Sequence, residues 1–396
     1  MANRKQLENC DVYLMIPGRI NKSANISNYN ETNPIIESFI SNITEVVKSE
    51  FDGDFFKAVS RYYLGPAKIV IDDVYDNQRY DQPAQMVLTV HDETRLAILE
   101  IITPSVEIGG NKLLSYYCGK DINFEIADQK FSYDELLENY GIKPFGIKRS
   151  IVFANNDVQD FEIINALANE EFPMGTIGGA LGQKLKTENH AQYDTAEVYV
   201  SLATMFEKCK NWPAEPLDRI PYQTIEVFFV ELLLFQDAAI DKMYHGIQEE
   251  KDKQRKGIDL AGARQRFEKL SFNMSQALKF TDYNQFLYPT VKISATTVSK
   301  AFGIDLIYDK YENNKKLLQE MIEINERRMR KESDDVKSRF LFILTALSAF
   351  SAINGALTNV FGSAIKSYSY FIAAGAVTVA YIIYRLIIKE KKKKYK

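Results

Sequence analysis

Cysteine and histidine are scarce in this chain of 396 residues, and neither type is clustered. No CxxC, HExxH or similar spacing occurs among the six: Cys10, Cys118, Cys209, His91, His190 and His245. Zinc sites usually draw their ligands from such closely spaced pairs. The sequence therefore predicts no zinc site, and its few isolated cysteines are typical of a protein in a reducing compartment.

Several other functional signals are absent. We find no internal repeat with a period of about 20–50 residues, no nucleophile beside a base and no paired-carboxylate motif, so an enzyme is the least favoured class. The formal net charge of −4 provides no general attraction to nucleic acid, and no direct binding to it is expected. The first residues, MANRKQLENCDVYLM, lack the apolar core of a signal peptide, so we expect the bulk of the chain to be cytosolic.

Two apolar runs lie near the C-terminus. Residues 340–360 carry no charge, and residues 370–388 carry only Arg385. A helix of roughly 20 residues crosses a bilayer core of about 30 Å. We therefore predict a transmembrane hairpin with an outside loop at 361–369 and a basic tail at 389–396. Basic residues flank the runs, whereas the loop holds only Lys366, so the positive-inside rule predicts a multi-pass inner-membrane protein with both termini cytoplasmic.

The rest of the chain divides by its hydrophobic pattern. Residues 1–190 contain short runs rich in Val, Ile, Leu and aromatics, such as DVYLMI, QMVLTVH, LAILEII and SIVFA, which predict a cytosolic α/β domain built on a sheet. One helix is predicted from Pro34 to Phe51. Residues 191–303 predict a helical region with an antiparallel helix pair. Residues 304–339 contain no Pro or Gly and predict a long stalk helix that continues into the first apolar run.

This order of elements resembles the CorA-type divalent-cation channels over residues 222–396, including the lysine-rich ending KKKKYK, whereas the N-terminal half is similar only in class. The resemblance implies a homopentameric funnel whose five first membrane helices line a pore. The family's filter is Gly-Met-Asn followed by acidic residues. Here the tripeptide is Leu357-Thr358-Asn359, and the loop VFGSAIKSYSY has no acid. The chain in this respect resembles a CRISPR-associated (type III) CorA branch that lacks Gly-Met-Asn and is associated with a nucleotide messenger made from ATP and S-adenosylmethionine (SAM-AMP).

Polar and small residues recur every three or four positions along the first apolar run: Thr345, Ser348, Ser351, Asn354, Gly355, Thr358 and Asn359. One interpretation is that they line a pore, where water relieves the cost of the amides. The other is close packing between membrane helices, which small and hydroxyl side chains permit. The two interpretations are compatible in a five-fold assembly.

Two charged pairs are candidates for binding the nucleotide. Lys148 and Arg149 directly precede the strand SIVFA, and a basic pair at a strand end can bind phosphate. Asp218 and Arg219 lie in a segment framed by two prolines and can hold a ribose or a phosphate. For each pair the alternative is a solvated pair of charges without a ligand.

Three further features have structural alternatives. Tyr62 and Tyr63 can stack on a base or lie in the core. The segment GTIGGALGQK (175–184) lacks the spacing of a phosphate-binding loop and is interpreted as a connector. The acidic cluster Glu249, Glu250 and Asp252 is either a solvated helix face or a site for a regulatory cation.

The function expected from these observations is a CorA-like membrane channel, without enzymatic activity, that a SAM-AMP-type nucleotide gates in type III CRISPR antiviral defence. The alternatives are a CorA-type magnesium transporter and a membrane-anchored sensor that does not conduct. The expected partners are further copies of the chain in a pentamer, a lipid bilayer and the small nucleotide. No cofactor is certain, and the nucleotide and Mg²⁺ are the candidates.

Overall fold

The computed structural model describes residues 7, 9–21, 26–50, 57–73, 77–168, 196–257, 262–281 and 286–361, together with a few isolated positions between 368 and 381. The chain separates into two compact units, Met1–Gln319 and Glu320–Lys396. The sheet and the charged groups discussed below all belong to the first unit.

The first unit is built on one mixed sheet. Within the described residues its strand order is β6-β5-β2-β3-β4-β1-β8-β10-β9, and β7 also pairs with β1. The strands are β1 (Asp11–Ile20), β2 (Val59–Asp73), β3 (Gln78–His91), β4 (Leu96–Thr103), β5 (Asn123–Ile126), β6 (Gln129–Ser132), β7 (Ile142–Pro144), β8 (Arg149–Asn155), β9 (Ala196–Val200) and β10 (Thr204–Cys209). β8 and β10 pair in parallel, and the other pairs of described strands are antiparallel.

Helices cover the sheet and extend beyond it. Their bounds are α1 (Pro34–Glu50), α2 (Gly110–Gly119), α3 (Tyr133–Asn139), α4 (Asp160–Ala168), α5 (Pro216–Lys256), α6 (Ala263–Ala277), α7 (Pro289–Ala301) and α8 (Ile304–Phe361), with a 3-10 turn at Leu278–Thr281. Helix α4 lies between β8 and β10 in the chain, which is the crossover that a parallel pair of strands requires.

One face of the sheet forms an apolar core. Alternate residues of β1, Val12, Leu14 and Ile16, point to this face and pack with buried side chains of α2, α3 and α4. The period of two along a strand explains why one set of residues shares this core. This face supplies the hydrophobic stabilisation of the unit.

The other face of the sheet packs against α1 and α5. Its β1 residues are Asp11, Tyr13 and Met15, and the Tyr13 ring lies 6.1 Å from that of Phe39 on α1. Met15 is the cross-strand neighbour of Glu100 on β4 and of Arg149 on β8. This face therefore carries buried ionisable groups opposite α5.

Helix α5 is 41 residues long, or about 60 Å, and its ends have clear local causes. Pro216 occupies the start, where its missing N–H costs no helical hydrogen bond. Gly257 ends the helix with φ 66°, a left-handed conformation that glycine adopts without a steric penalty. The last turn carries Lys253, Arg255 and Lys256, which interact favourably with the negative end of the helix dipole.

The structure contradicts the membrane predictions. Within the residues that it describes, no helix combines the length and the apolar character needed to cross a bilayer. The predicted hairpin of residues 340–360 and 370–388 is therefore corrected, as are the multi-pass inner-membrane localisation and the assignments to ion channels and ion transport. Helix α8 begins in a strongly charged segment, and most of residues 362–388 lie outside the described residues.

The residues predicted to line a pore are only partly described. Thr345, Ser348 and Ser351 lie on α8 with exposed side chains. The surroundings of Asn354, Gly355, Thr358 and Asn359 are not described. Most of the predicted loop, second span and tail between 361 and 396 also lies outside the described residues.

Candidate functional site: the Trp212 cavity and the charged row beneath helix α5

A row of buried charged side chains lies between α5 and the sheet. We call it the charged row and define it by Asp11, Arg61, Glu100, Arg149 and Glu207 on the strands and by Arg219, Glu231 and Asp237 on α5. All eight side chains are buried, and those of Arg61 and Arg219 are the most exposed, at 6% each. Charged side chains are seldom buried unless each is paired or neutralised. The contacts within the row therefore determine how α5 docks.

Arg219 forms the first contact of the row, at the start of α5. Its Nη1 donates to Asp11 Oδ1 at 2.9 Å, while Nε and Nη2 donate to the carbonyls of Pro213 and Ala214, each at 2.7 Å. The guanidinium also lies 4.5 Å from the centre of the Trp212 ring. Arg219 thus joins the beginning of α5 to the first residue of β1 and to the only tryptophan of the chain.

Gln223, one turn along α5, extends this contact. Its Nε2 donates to Asp11 Oδ2 at 2.7 Å, and its Oε1 accepts a 2.8 Å hydrogen bond from the Tyr13 hydroxyl. Both oxygens of the buried Asp11 carboxylate are thereby satisfied by α5. Burial raises the pKa of Tyr13 far above its usual range, with Asp11 as a further cause, so the hydroxyl remains a donor.

Arg149 forms the contact at the far end of the row. Its Nη2 donates to Asp237 Oδ2 at 3.0 Å and to the Phe302 carbonyl at 3.2 Å, and its Nη1 donates to the Leu202 carbonyl. The same Asp237 oxygen accepts the Ile147 N–H at 3.0 Å. Burial raises the pKa of Asp237 and lowers that of Arg149, while the attraction between the two opposes both shifts.

The structure places the two predicted arginines far apart along α5. Asp237, the partner of Arg149, follows Arg219 by eighteen residues, which is about 27 Å along a helix. Both guanidinium groups are buried and bonded within the protein. Asp218 lies in the first turn of α5 with an exposed side chain. A role of these residues in ligand binding stays a prediction, but they do not form one common site.

Lys148 lies apart from the charged row, on the side of α2 and α3. Its ammonium donates to the Tyr117 carbonyl and lies 4.5 Å from the centre of the Tyr117 ring and 4.8 Å from that of Tyr133. Burial lowers the pKa of Lys148 to about 8, the neighbouring Lys120 adds to this, and Cys118 and two aspartates oppose it. Its positive charge is thus held chiefly by aromatic faces.

A cavity of about 620 Å³ opens at the carboxyl end of β8, next to β10. We call it the Trp212 cavity. Its lining consists of the start of the chain, the loop between β8 and α4, and the segment before α5: Leu7, Asn9, Asn155, Asp157, Val158, Gln159, Glu162, Trp212, Ala214 and Arg219. In sheets with parallel strands, this edge is where ligands usually bind.

The Trp212 cavity is polar and has more acid than base. Asp157 is exposed, whereas Glu162 is buried and accepts the N–H of Gln159 at 2.8 Å. Arg219 already pairs with Asp11, so its charge is largely neutralised. The indole Nε1 of Trp212 is buried without a hydrogen-bond partner among the described residues. The cavity therefore offers acceptors and amides.

A second cavity, of about 450 Å³, lies at the other end of β1. Its lining includes four asparagines, Asn21, Asn28, Asn30 and Asn139, with Tyr29 and Tyr140. It is separate from the charged row, since none of its lining residues belongs to that row.

The remaining predicted features are located as follows. Glu250 is buried and bound by Arg266, whose Nε and Nη2 lie 2.9 and 3.0 Å from its two oxygens. No group of His, Cys, Asp and Glu within the described residues is arranged to hold a metal ion. Tyr63 is buried, and its hydroxyl donates to Gln85 at 2.6 Å. The segment 175–184 lies outside the described residues.

Comparisons with known protein families, with characterised proteins and with solved structures find no match for this chain. The resemblance to CorA-type channels, the pentamer and the absence of enzymatic activity therefore stay predictions. Sequence reasoning missed Asp11, Glu100, Glu231, Asp237 and Trp212. A signal was present for three of them, because Glu100, Glu231 and Asp237 stand inside or directly after apolar runs.

Proposed function

We propose that the first unit is a sensor that binds a small nucleotide in the Trp212 cavity, and that binding is transmitted through helix α5. The observation that carries the proposal is the double role of Arg219. Its guanidinium contributes to the wall of the cavity, and it also forms the ion pair that attaches the start of α5 to β1. A ligand in the cavity is therefore in a position to act on that attachment.

Position and size support a nucleotide. The cavity lies at the carboxyl edge of the parallel strands β8 and β10, and its volume of about 620 Å³ is within the range of about 300–1,000 Å³ typical of small-molecule sites. The amides of Asn155 and Gln159 can pair with the edge of a base. The carboxylate of Asp157 can accept from ribose hydroxyls or an exocyclic amine.

Charge narrows the class of nucleotide. Asp157 and Glu162 outweigh the one arginine, which is already paired, so an isolated phosphate group is not favoured. A nucleotide that also carries positive charge is better matched. A messenger made from ATP and S-adenosylmethionine has this property, because S-adenosylmethionine contributes a sulfonium and an ammonium group.

Transmission follows from the contacts of Arg219. A ligand that binds better when this side chain has one arrangement shifts the protein towards that arrangement, by no more than its difference in affinity for the two states. Because Arg219 and Gln223 both hold Asp11, the displacement of either changes how the first turns of α5 dock.

The single tryptophan makes a direct test. Trp212 fluorescence is measured while the purified full-length chain is titrated with AMP, ATP, S-adenosylmethionine and the SAM-AMP conjugate. We expect saturable quenching or a spectral shift with at least one adenine compound and the largest affinity for the conjugate. Asp157→Ala should weaken this binding by about 10- to 100-fold, as expected for loss of a charged hydrogen bond.

A matched control separates the cavity from general effects. Asp134→Ala removes an exposed aspartate of α3 that is not part of the cavity, and it should leave the affinity unchanged. The proposal is refuted if no adenine compound changes the fluorescence or binds calorimetrically at millimolar concentration. Equal losses in the two variants would exclude the Trp212 cavity as the site.

A further inference from the structure

Beneath the middle of α5, the charged row contains two carboxyl groups but one cation. Glu100 of β4 and Glu231 of α5 are both fully buried. Within the described residues, the hydrogen bonds of Arg61 of β2 go to Glu231: its Nε lies 3.3 Å from Oε1, and its Nη2 contacts Oε2. With both glutamates ionised, this buried cluster would hold an uncompensated negative charge, which is strongly unfavourable.

The hydroxyl of Thr89 shows how the excess charge is resolved. Its Oγ1 lies 2.5 Å from Glu100 Oε1 and 3.2 Å from Glu231 Oε1. A hydroxyl has one proton and can donate to only one of these oxygens. Two ionised carboxylates against the same hydroxyl oxygen would therefore leave one contact repulsive, whereas one protonated carboxyl makes both contacts compatible.

The remaining oxygen of Glu100 indicates where the proton resides. Its Oε2 is buried and has no hydrogen-bond partner among the described residues, which disfavours an ionised Glu100. Arg61 contacts both oxygens of Glu231, which makes Glu231 the ionised member of the pair. We propose that Glu100 and Glu231 hold one proton between them, carried by Glu100, and that α5 remains packed on the sheet only while this proton is bound.

The neighbouring groups agree with this assignment. Burial raises the pKa of Glu100 well above its usual range, the charge of Glu231 raises it further, and Thr89 and Arg61 oppose the shift. Tyr13 of β1 also faces Glu100, and burial keeps its hydroxyl neutral.

Aromatic rings lie close to this cluster, and one of them is the titratable imidazole of His91. His91 of β3, two residues beyond Thr89, packs its ring against Phe235 of α5 and Phe280 of the 3-10 turn, at 6.1 and 5.0 Å. Phe39 of α1 covers Tyr13.

A second carboxyl pair lies on the same interface. Glu207 of β10 is buried, and its pKa is raised well above the usual range by burial and then by Glu226 of α5. The thiol of Cys209 lies 3.6 Å from Glu207 Oε1 and opposes the shift. The charge of a glutamate on α5 thus favours the neutral form of both Glu100 and Glu207 on the sheet.

The pH dependence has a definite sign. In the unfolded chain a glutamate loses its proton near pH 4.5, whereas folded Glu100 keeps it to a higher pH. Between these two values the folded state binds one more proton than the unfolded state. Stability is therefore fully present below the unfolded pKa and is lost as pH rises, with the unfolding equilibrium constant increasing about tenfold per pH unit for this group.

The test compares the full-length chain with Glu100→Gln, a neutral side chain of nearly the same shape. Urea unfolding is followed by Trp212 fluorescence at several values from about pH 5 to 8. The ratio of the wild-type to the variant unfolding constants should rise about tenfold per pH unit until folded Glu100 ionises. Glu45→Gln, which neutralises an exposed glutamate of α1, is the matched control and should give a constant ratio. A constant ratio for Glu100→Gln would overturn the proposal.

Hydrogen exchange of the wild type keeps the proposal testable should Glu100→Gln fail to fold. Amides of α5 around Glu231 should lose protection with rising pH by more than the intrinsic base catalysis of exchange. Amides of α4, which pack on the apolar face, should follow the intrinsic rate alone. If the protection of α4 and of α5, each corrected for the intrinsic exchange rate, falls equally with rising pH, the proposal is also overturned.

Discussion

Replacing Asp237 by Ala removes the carboxylate that pairs with Arg149. Both side chains are 0% exposed, and the Asp237 oxygen lies 3.0 Å from the guanidinium and 3.0 Å from the Ile147 N–H. The variant leaves a buried cation without its counter-ion and a backbone N–H without its acceptor. Breaking a buried pair in this way costs about 3–5 kcal/mol, which is a large fraction of the stability of a domain.

The double variant Arg149→Met/Asp237→Leu makes the reasoning specific. Burial lowers the pKa of Arg149 and raises that of Asp237, and each shift favours the neutral form of the group. Desolvation therefore outweighs the attraction between the two charges. Replacement of the whole pair by apolar side chains removes the unpaired buried charge and should therefore recover part of the loss. It does not restore the partners of the Ile147 N–H and of the Leu202 and Phe302 carbonyls. Urea unfolding followed by Trp212 fluorescence measures all three proteins.

An exposed pair provides the control for this series. Asp134 pairs with Lys120 at 3.3 Å with side chains 77% and 51% exposed, so Asp134→Ala should change stability by less than about 1 kcal/mol. If Asp237→Ala is no more destabilising than Asp134→Ala, the pair does not hold α5 as argued. If the double variant is less stable than the single one, the account of its desolvation is wrong.

Two further substitutions test neighbouring contacts. Gly146 has φ 81°, and a Cβ there would lie 3.1 Å from the backbone nitrogen of Ala238 on α5. Gly146→Ala should therefore lower the urea midpoint both by backbone strain and by displacement of α5. Gly257→Ala is the control, because Gly257 has φ 66° with open space around it, so this variant should show the effect of backbone strain alone. Burial lowers the pKa of Lys148 to about 8, so the folded state releases a proton that the unfolded chain keeps to about pH 10.5. The stability of the wild type relative to Lys148→Met should consequently increase from pH 8 to 10, and a flat difference would exclude the buried position of its ammonium.

The strands that sequence predicts well are those with clear patterns. The runs DVYLMI, QMVLTVH, LAILEII and SIVFA coincide with β1, β3, β4 and β8, and the helix predicted from Pro34 coincides with α1. Hydrophobicity and β-branched content mark these segments locally. The pairing order of the strands is a long-range property, and the parallel pairing of β10 with β8 gives no local signal.

Hydropathy misled the prediction at the C-terminus. The uncharged run at 340–360 and the basic residues that flank it satisfied the rules for predicting a membrane span, which consider composition alone. The resemblance to a channel family depended in part on the same run. Within the described chain, no helix meets the requirements for a span. The charged candidates illustrate a different limit of sequence reasoning. Arg149 and Arg219 are recognisable as charges, but their partners Asp237 and Asp11 lie 88 and 208 residues away in sequence.

The two faces of the sheet explain why both proposals concern α5. The opposite face is dominated by apolar side chains, and their packing is non-directional. The contacts of the charged row with α5 are directional, and the cost of desolvating the charges offsets much of the stabilisation that these contacts provide. The docking of α5 is therefore more easily changed by a small perturbation than the packing of α2, α3 or α4. The proposed nucleotide would act on Arg219 at the start of the helix and the proposed proton on Glu231 in its middle, so each controls the same element through a separate contact.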